Sequence, residues 1–156
     1  MDDKAGAVGG GSAATLLVVD DNKGVLDFLV LLLSKHGYKT IGVSGGFECL
    51  EIVRQQPVDL IISDVMMPAM DGLQLCEELK VLTPQTPVIL LTARDDMATR
   101  AAAMDLGVSE FVTKPVNNHD LLTRVRTQLS NLEWNRAAEQ VVSQIEKTAV
   151  LPANKH

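Results

Sequence analysis

The chain has 156 residues, 46% of them hydrophobic and 22% charged, which suits one domain with its own core and excludes an intrinsically disordered chain. A formal net charge of -6, with the acidic excess in the first 120 residues, speaks against a nucleic-acid-binding face. Two cysteines, Cys49 and Cys76, make neither a disulfide framework nor a zinc motif and read as small buried hydrophobes in a reducing compartment.

Residues 1–14 are Gly/Ala/Ser-rich and lack the basic start and apolar run of a signal peptide, so a flexible leader is expected there. The longest purely apolar run, Leu29 to Leu33, falls far below the roughly 18–20 residues of a membrane span. A cytoplasmic protein without a membrane span is the expectation.

Leu16 to Val19 forms a short β-branched run that ends in two acids, Asp20 and Asp21. Asn22 is placed to cap a helix from Val25 to His36, stopped by Gly37. Tyr38 to Val43 fits a second strand, less apolar and near an edge. Ser44-Gly45-Gly46 turns into a helix reaching about Gln55, with Leu50 and Val53 facing inward, and Pro57 ends it. Val58 to Ser63 is the third strand, and it runs into Asp64. Pro68, Asp71 and Gly72 then break the chain.

The third helix spans Leu73 to Leu82, with Leu75, Leu79 and Leu82 on its inner face and Thr83-Pro84 as its stop. Pro87 to Thr92 is the fourth strand. Asp96 is placed to cap a helix from Met97 to Leu106, closed by Gly107. Glu110 to Thr113 is a short fifth strand leading into Lys114-Pro115, and Asn118 is placed to cap a last helix beginning near His119. Strands therefore alternate with helices five times. The expected fold is α/β: a doubly wound, five-stranded parallel sheet in the flavodoxin-like order 2-1-3-4-5. No phosphate-binding glycine loop of the GxxxxGK[ST] or GxGxxG kind follows the first strand.

Four of the five strands end in polar groups: Asp20 and Asp21, Asp64, Thr92, and Lys114. In a parallel sheet of that order these ends lie together on one edge. Carboxylates so close repel one another, and a hard divalent cation such as Mg²⁺ resolves the repulsion while keeping sites for phosphate oxygens. Lys114 adds a positive charge for an oxyanion, Thr92 a hydroxyl donor, and Asp64 a nucleophile toward phosphorus. Any one of these residues alone would be an ordinary turn former or solvated side chain. The repetition of an apolar strand ending in each of them carries the functional reading.

This set of residues resembles the receiver domain of the response regulators of bacterial two-component signalling. The resemblance runs over about residues 15–131 and rests on Asp20-Asp21, Asp64 in Ser63-Asp64-Val65-Met66-Met67-Pro68 with Asp71-Gly72, Thr92-Ala93, and Lys114-Pro115 after Phe111-Val112-Thr113. It implies that Asp64 accepts a phosphoryl group from a histidine kinase or phosphotransfer protein. It implies that Asp21, Asp64 and the Met66 carbonyl bind Mg²⁺ directly, and Asp20 through water. Lys114 would contact the phosphoryl oxygens, Thr92 would swing toward them, and Phe111 would turn inward behind it. The Lys114-Pro115 bond would be cis. Phe111, often Tyr in relatives, can pack inside but has no hydroxyl to bond there. A bulky Met66 and a long Arg94 stand where they would hinder a water attacking the acyl phosphate. The implied role is signalling rather than conventional enzymology: the face of the fourth helix, fifth strand and fifth helix would switch to control a downstream protein target.

About 25 residues follow the receiver in this sequence, too few for a helix-turn-helix or a catalytic output domain. Leu122, Val125, Leu129 and Leu132 continue the last helix, Trp134 follows, and Ala138, Val142, Ile145 and Ala149 resume in a shifted phase up to Pro152. Residues 132–156 are read as a helical extension and tail. Two readings stay open: the extension frays, or it docks on the domain or pairs with a second chain as a homodimer. The second functional reading is accordingly a non-switching receiver-fold scaffold acting through that helix. A third, an Asp-nucleophile phosphatase, lacks the DxD spacing of that class after the first strand.

Overall fold

The computed structural model describes residues 13–93 and 96–154, with side chains up to residue 148. Most of the proposed leader, together with Arg94, lies outside the described residues. Five strands and five helices alternate in the order β1 (Thr15–Val19), α1 (Lys23–Lys35), β2 (Lys39–Val43), α2 (Gly46–Gln55), β3 (Leu60–Asp64), α3 (Gly72–Leu82), β4 (Val88–Thr92), α4 (Met97–Asp105), β5 (Glu110–Thr113) and α5 (Asn118–Asn154). All strand pairings are parallel, and the sheet order is β2-β1-β3-β4-β5, as the sequence pattern predicts.

The period of two along each strand divides the core into two layers. Leu16, Val18, Leu60, Ile62, Ile89, Leu91 and Val112 meet Leu29 and Leu33 of α1 and Leu121, Leu122 and Val125 of α5. Leu17, Val19, Ile61 and Leu90 face the other way, onto Cys49 and Leu50 of α2, Leu75, Cys76 and Leu79 of α3 and Ala103 of α4. Strands β1, β3 and β4 are covered on both sides, which explains their unbroken apolar runs. β2 lies at one edge, where only one partner strand exists. Burial pushes the Cys49 thiol up to about 12 and the Cys76 thiol to about 11.

Caps fix the helix starts. Asn22 Oδ1 accepts from the Val25 amide, Asp96 Oδ1 from Thr99, and Asp71 forms a reciprocal capping box with Gln74. Three sequence expectations need correction. The cap of α5 is Asn117, whose Oδ1 accepts from the Asp120 amide at 2.9 Å, because that places the acceptor three residues before the donor. Leu82 is 39% exposed, since α3 ends at that residue and its last turn passes beyond the cover of the sheet. Pro152 lies inside the last helical stretch and does not end it; α5 runs to Asn154, and a single missing N–H in a terminal turn leaves the helix intact.

The extension is thus one continuous helix. Leu132 is the last buried side chain on it among the described residues, and Arg136 Nη2 pairs with Asp59 Oδ1 at 3.5 Å. Beyond Leu132 the side chains of Trp134, Val141, Val142 and Ile145 are exposed. Among the described residues no helix is long and apolar enough to cross a membrane.

Candidate phosphoryl-acceptor site

Each polar group of the site stands where a buried strand delivers it. Asp64 is the last residue of β3, Asp20 follows β1, Thr92 closes β4, and Lys114 follows β5. The register sets Asp64 beside Leu91 and Thr92 beside Thr113. The strand ends converge at the carboxyl edge of the sheet, beside the point where the strand order reverses between β1 and β3.

Carboxylate oxygens of Asp20, Asp21 and Asp64 lie within 4.8 Å of one another. Asp20 and Asp64 are buried, and Asp21 is exposed at the mouth. The Asn22 amide donates to Asp20 Oδ1 at 2.9 Å, whereas Asp20 Oδ2 has no hydrogen-bond partner among the described residues. Burial holds the Asp20 carboxyl above the ordinary carboxylate range, and the charges of Asp64 and Asp21 push the same way; the Asn22 amide and Lys114 oppose them. An orphaned, desolvated carboxylate oxygen beside two further acids fits a hard divalent cation, which Asp21 and Asp64 would hold directly and Asp20 through water.

Lys114 Nζ lies 2.9 Å from Asp64 Oδ1 and 3.9 Å from Asp20 Oδ2. The Lys114 amide donates to the Thr92 carbonyl at 2.8 Å, so the backbone that carries the lysine is tied to β4, and the following bond to Pro115 is cis.

The loop after Asp64 is held tightly. Ser63 Oγ donates to the Asp64 carbonyl at 2.9 Å, and the Gly72 amide to the Val65 carbonyl at 2.8 Å. A Cβ on Gly72 would stand 2.8 Å from Val65 Cα and 2.9 Å from the Asp64 carbonyl oxygen, so only glycine lets α3 start this close to the acid. Ala69 adopts a left-handed φ of 69°, a strained conformation at the tip of the same loop. Met66, two residues after Asp64, is 73% exposed.

Thr92 is buried, and its hydroxyl is engaged. Arg100 Nη2, reaching in from α4, donates to Thr92 Oγ1 at 3.2 Å and to Thr113 Oγ1 at 2.6 Å. The guanidinium carbon also sits 5.7 Å from the centroid of the half-buried Phe111 ring. The structure therefore gathers Asp20, Asp21, Asp64 and Lys114 into one cluster, and joins Thr92 and Phe111 through a residue absent from the sequence reading. An arginine in a polar-alanine helix, MATRAAAMD, reads as solvated, and no local pattern marks it.

A three-layer α/β domain with an acidic cluster and a lysine at the carboxyl edge of a 2-1-3-4-5 sheet defines a class of small signalling folds. The sequence profile of the response regulator receiver domain matches residues 16–126, and the chain belongs to that family of two-component signalling proteins. The chain is 34% identical over 140 residues to the response regulator MprA of Mycobacterium leprae, an alignment that covers 90% of this chain and 61% of that protein. It thus spans about three fifths of the length of such relatives. A CheY-like receiver domain protein from Methanospirillum hungatei superposes with a TM-score of 0.77 at 27% identity, covering 80% of this chain and 99% of that one. The receiver domain of a signal transduction histidine kinase from Syntrophus aciditrophicus does so with a TM-score of 0.71 at 36% identity, covering 76% and 92%.

Proposed function

We propose that this receiver accepts a phosphoryl group on Asp64, from a histidine kinase or a phosphotransfer protein, and that the face built from α4, β5 and α5 then controls a downstream protein in the cytoplasm. The observation that carries the proposal is Lys114 Nζ set 2.9 Å from a buried Asp64 whose neighbours are two further acids.

In the proposed reaction an Asp64 carboxylate oxygen attacks phosphorus. The bond from phosphorus to the donor's leaving group breaks, and that group departs with the electron pair. An acyl phosphate forms on Asp64. Asp20, Asp21 and Asp64, with the Met66 carbonyl, would hold Mg²⁺. The ion would neutralise the acids and the incoming phosphoryl oxygens, the main requirement of phosphoryl transfer. Lys114 would turn from its ion pair to the new oxyanion, and Thr92 would donate its hydroxyl to it. Phe111 would follow Thr92 inward. Met66 and Arg94, two residues after Asp64 and Thr92 in the sequence, would hinder water from attacking the acyl phosphate. Such a chain promotes its own modification without being a conventional enzyme.

The test is incubation with a small phosphodonor and Mg²⁺, followed by intact mass. One added phosphoryl group, about 80 Da, acid-stable and base-labile, is expected on the wild type and not on Asp64→Asn. No gain at saturating donor and metal would overturn the proposal. The second reading, a scaffold that pairs with another copy, draws on the exposed Trp134, Val141, Val142 and Ile145 along the free length of α5. Sedimentation of the unphosphorylated chain tests it.

A further inference from the structure

We propose that Arg100 is a latch that holds Thr92 in its unphosphorylated position, so that engaging the phosphoryl group requires breaking a hydrogen bond specific to this side chain. The proposal rests on the function proposed above, since Thr92 matters only if Asp64 is modified.

Arg100 is built for this position. Ala103, one turn on, is fully buried, which brings α4 close to the sheet, and Arg100 shares its face. A long stem is needed to cross from there to the edge of β4 and β5. The guanidinium then meets three groups at once: one Nη bridges two hydroxyls on adjacent strands while its carbon lies over the Phe111 ring, 5.7 Å from the centroid. Thr113 Oγ1 is the nearer partner, at 2.6 Å against 3.2 Å for Thr92. Thr113 is thus the anchor, and Thr92 is the group held.

The consequence is a coupled release. Thr92 must turn its hydroxyl toward Asp64 to meet an oxyanion, and that motion takes Oγ1 out of reach of Arg100. Arg100 also lies over the ring of Phe111, which is half-buried against the core. Both groups expected to move are therefore in contact with one side chain on α4, which stays tied to Thr113 when Thr92 leaves. A ligand shifts such an equilibrium only by its differential affinity for the two states, so the latch lowers the apparent affinity of the site for a phosphoryl-like anion.

The test is titration of the full chain with beryllofluoride, a tetrahedral phosphoryl mimic, in saturating Mg²⁺, followed by the amide and methyl NMR signals of Thr92. Arg100→Met keeps the stem over Phe111 and removes the donors. It is expected to bind the anion about three- to tenfold more tightly, the net range for one ordinary intramolecular hydrogen bond, as suits a contact of 3.2 Å. The sign is diagnostic, because loss of a nearby positive charge would by itself weaken anion binding. In a Thr92→Ala background the same change is expected to give no tightening, only the small weakening that follows from the lost charge. Thr113→Val, which removes the anchor with little change of shape, is expected to tighten binding in the same direction and by less, and it serves if Arg100→Met does not fold. Unchanged or weaker binding in the folded variants overturns the latch, as does tightening that survives in Thr92→Ala. A wild type that binds no beryllofluoride overturns the function proposed for Asp64, and the latch with it; a wild type that binds it no less tightly than Arg100→Met overturns the latch alone.

Discussion

Lys114 reaches Asp64 across an intervening strand. Asp64 ends β3 and Lys114 follows β5, with β4 between them, yet Nζ and Oδ1 are 2.9 Å apart. Two strand spacings are about 9.6 Å, so the extended lysine stem is close to the shortest that spans the gap. Lys114→Gln is expected to slow phosphorylation of Asp64 by a small donor by about 10²–10³-fold, as when one oxyanion donor is removed from a preorganised site. Rates from intact mass, at fixed donor and Mg²⁺, check this.

Asp20 gives a pH-dependent prediction. Its folded-state pKa is raised, chiefly by burial, so the folded protein holds this proton more firmly than the unfolded chain. The resulting stability is present below the ordinary carboxylate pKa and is lost as pH rises through the raised folded value. At neutral pH ionised Asp20 is then a cost in metal-free protein. Asp20→Asn is expected to raise Tm in chelator by roughly 2–4 °C, for a gain of about 1 kcal/mol in a chain of this length. The advantage should shrink as the pH falls toward 4. Added Mg²⁺ should raise Tm of the wild type and do so less for the variant. Calorimetry across pH, with and without Mg²⁺, provides the measurement.

Gly72→Ala should be costly for a different reason. The added Cβ meets backbone, Val65 Cα and the Asp64 carbonyl oxygen, and backbone cannot swing aside as a flexible side chain would. A loss of about 2–3 kcal/mol is expected from this overpacking, together with weaker Mg²⁺ binding as the Asp64 loop shifts. Urea unfolding and a metal titration would show both.

The extended helix should lose its hold at Leu132 rather than at Arg136. Leu132 is buried, and Leu132→Ala is expected to cost about 2 kcal/mol. The Arg136–Asp59 pair is long and largely exposed, so Arg136→Ala should cost less than about 1 kcal/mol. Hydrogen exchange of residues 133–148 should accelerate in the first variant and change little in the second.

The buried thiols should be inert. With Cys49 pushed up to about 12 and Cys76 to about 11, neither is ionised near neutral pH. Native protein at pH 8 is expected to resist alkylation that goes to completion in denaturant, as mass spectrometry would reveal.

The sheet was legible in the sequence because each apolar run is short, β-branched and bracketed by turn formers. β5 has the predicted bounds, Glu110 to Thr113, and the acids at strand ends converge because the parallel order forces them to. Local chemistry was less decisive where neighbours are equivalent. Asn117 and Asn118 carry the same capping group, and only the backbone path after Pro115 selects the first. Leu82 keeps the helical phase of Leu75 and Leu79, but periodicity does not say where the sheet beneath it ends. Arg100 was beyond reach altogether: its partners come from β4 and β5, and its role exists only where three elements meet.

The single run of α5 from Asn118 to Asn154 has a mechanical consequence. Its base is packed against the sheet by Leu121, Leu122 and Val125, on the same layer as Val112 of the strand that carries Phe111 and leads into Lys114. Beyond Arg136 the helix continues for about 27 Å, at 1.5 Å per residue. A tilt of about 5° at the base would move the far end by roughly 2 Å over that length. A rigid rod anchored beside the acidic cluster turns a side-chain-sized adjustment into a displacement that a distant binding surface can sense, and it does so without any hinge in between.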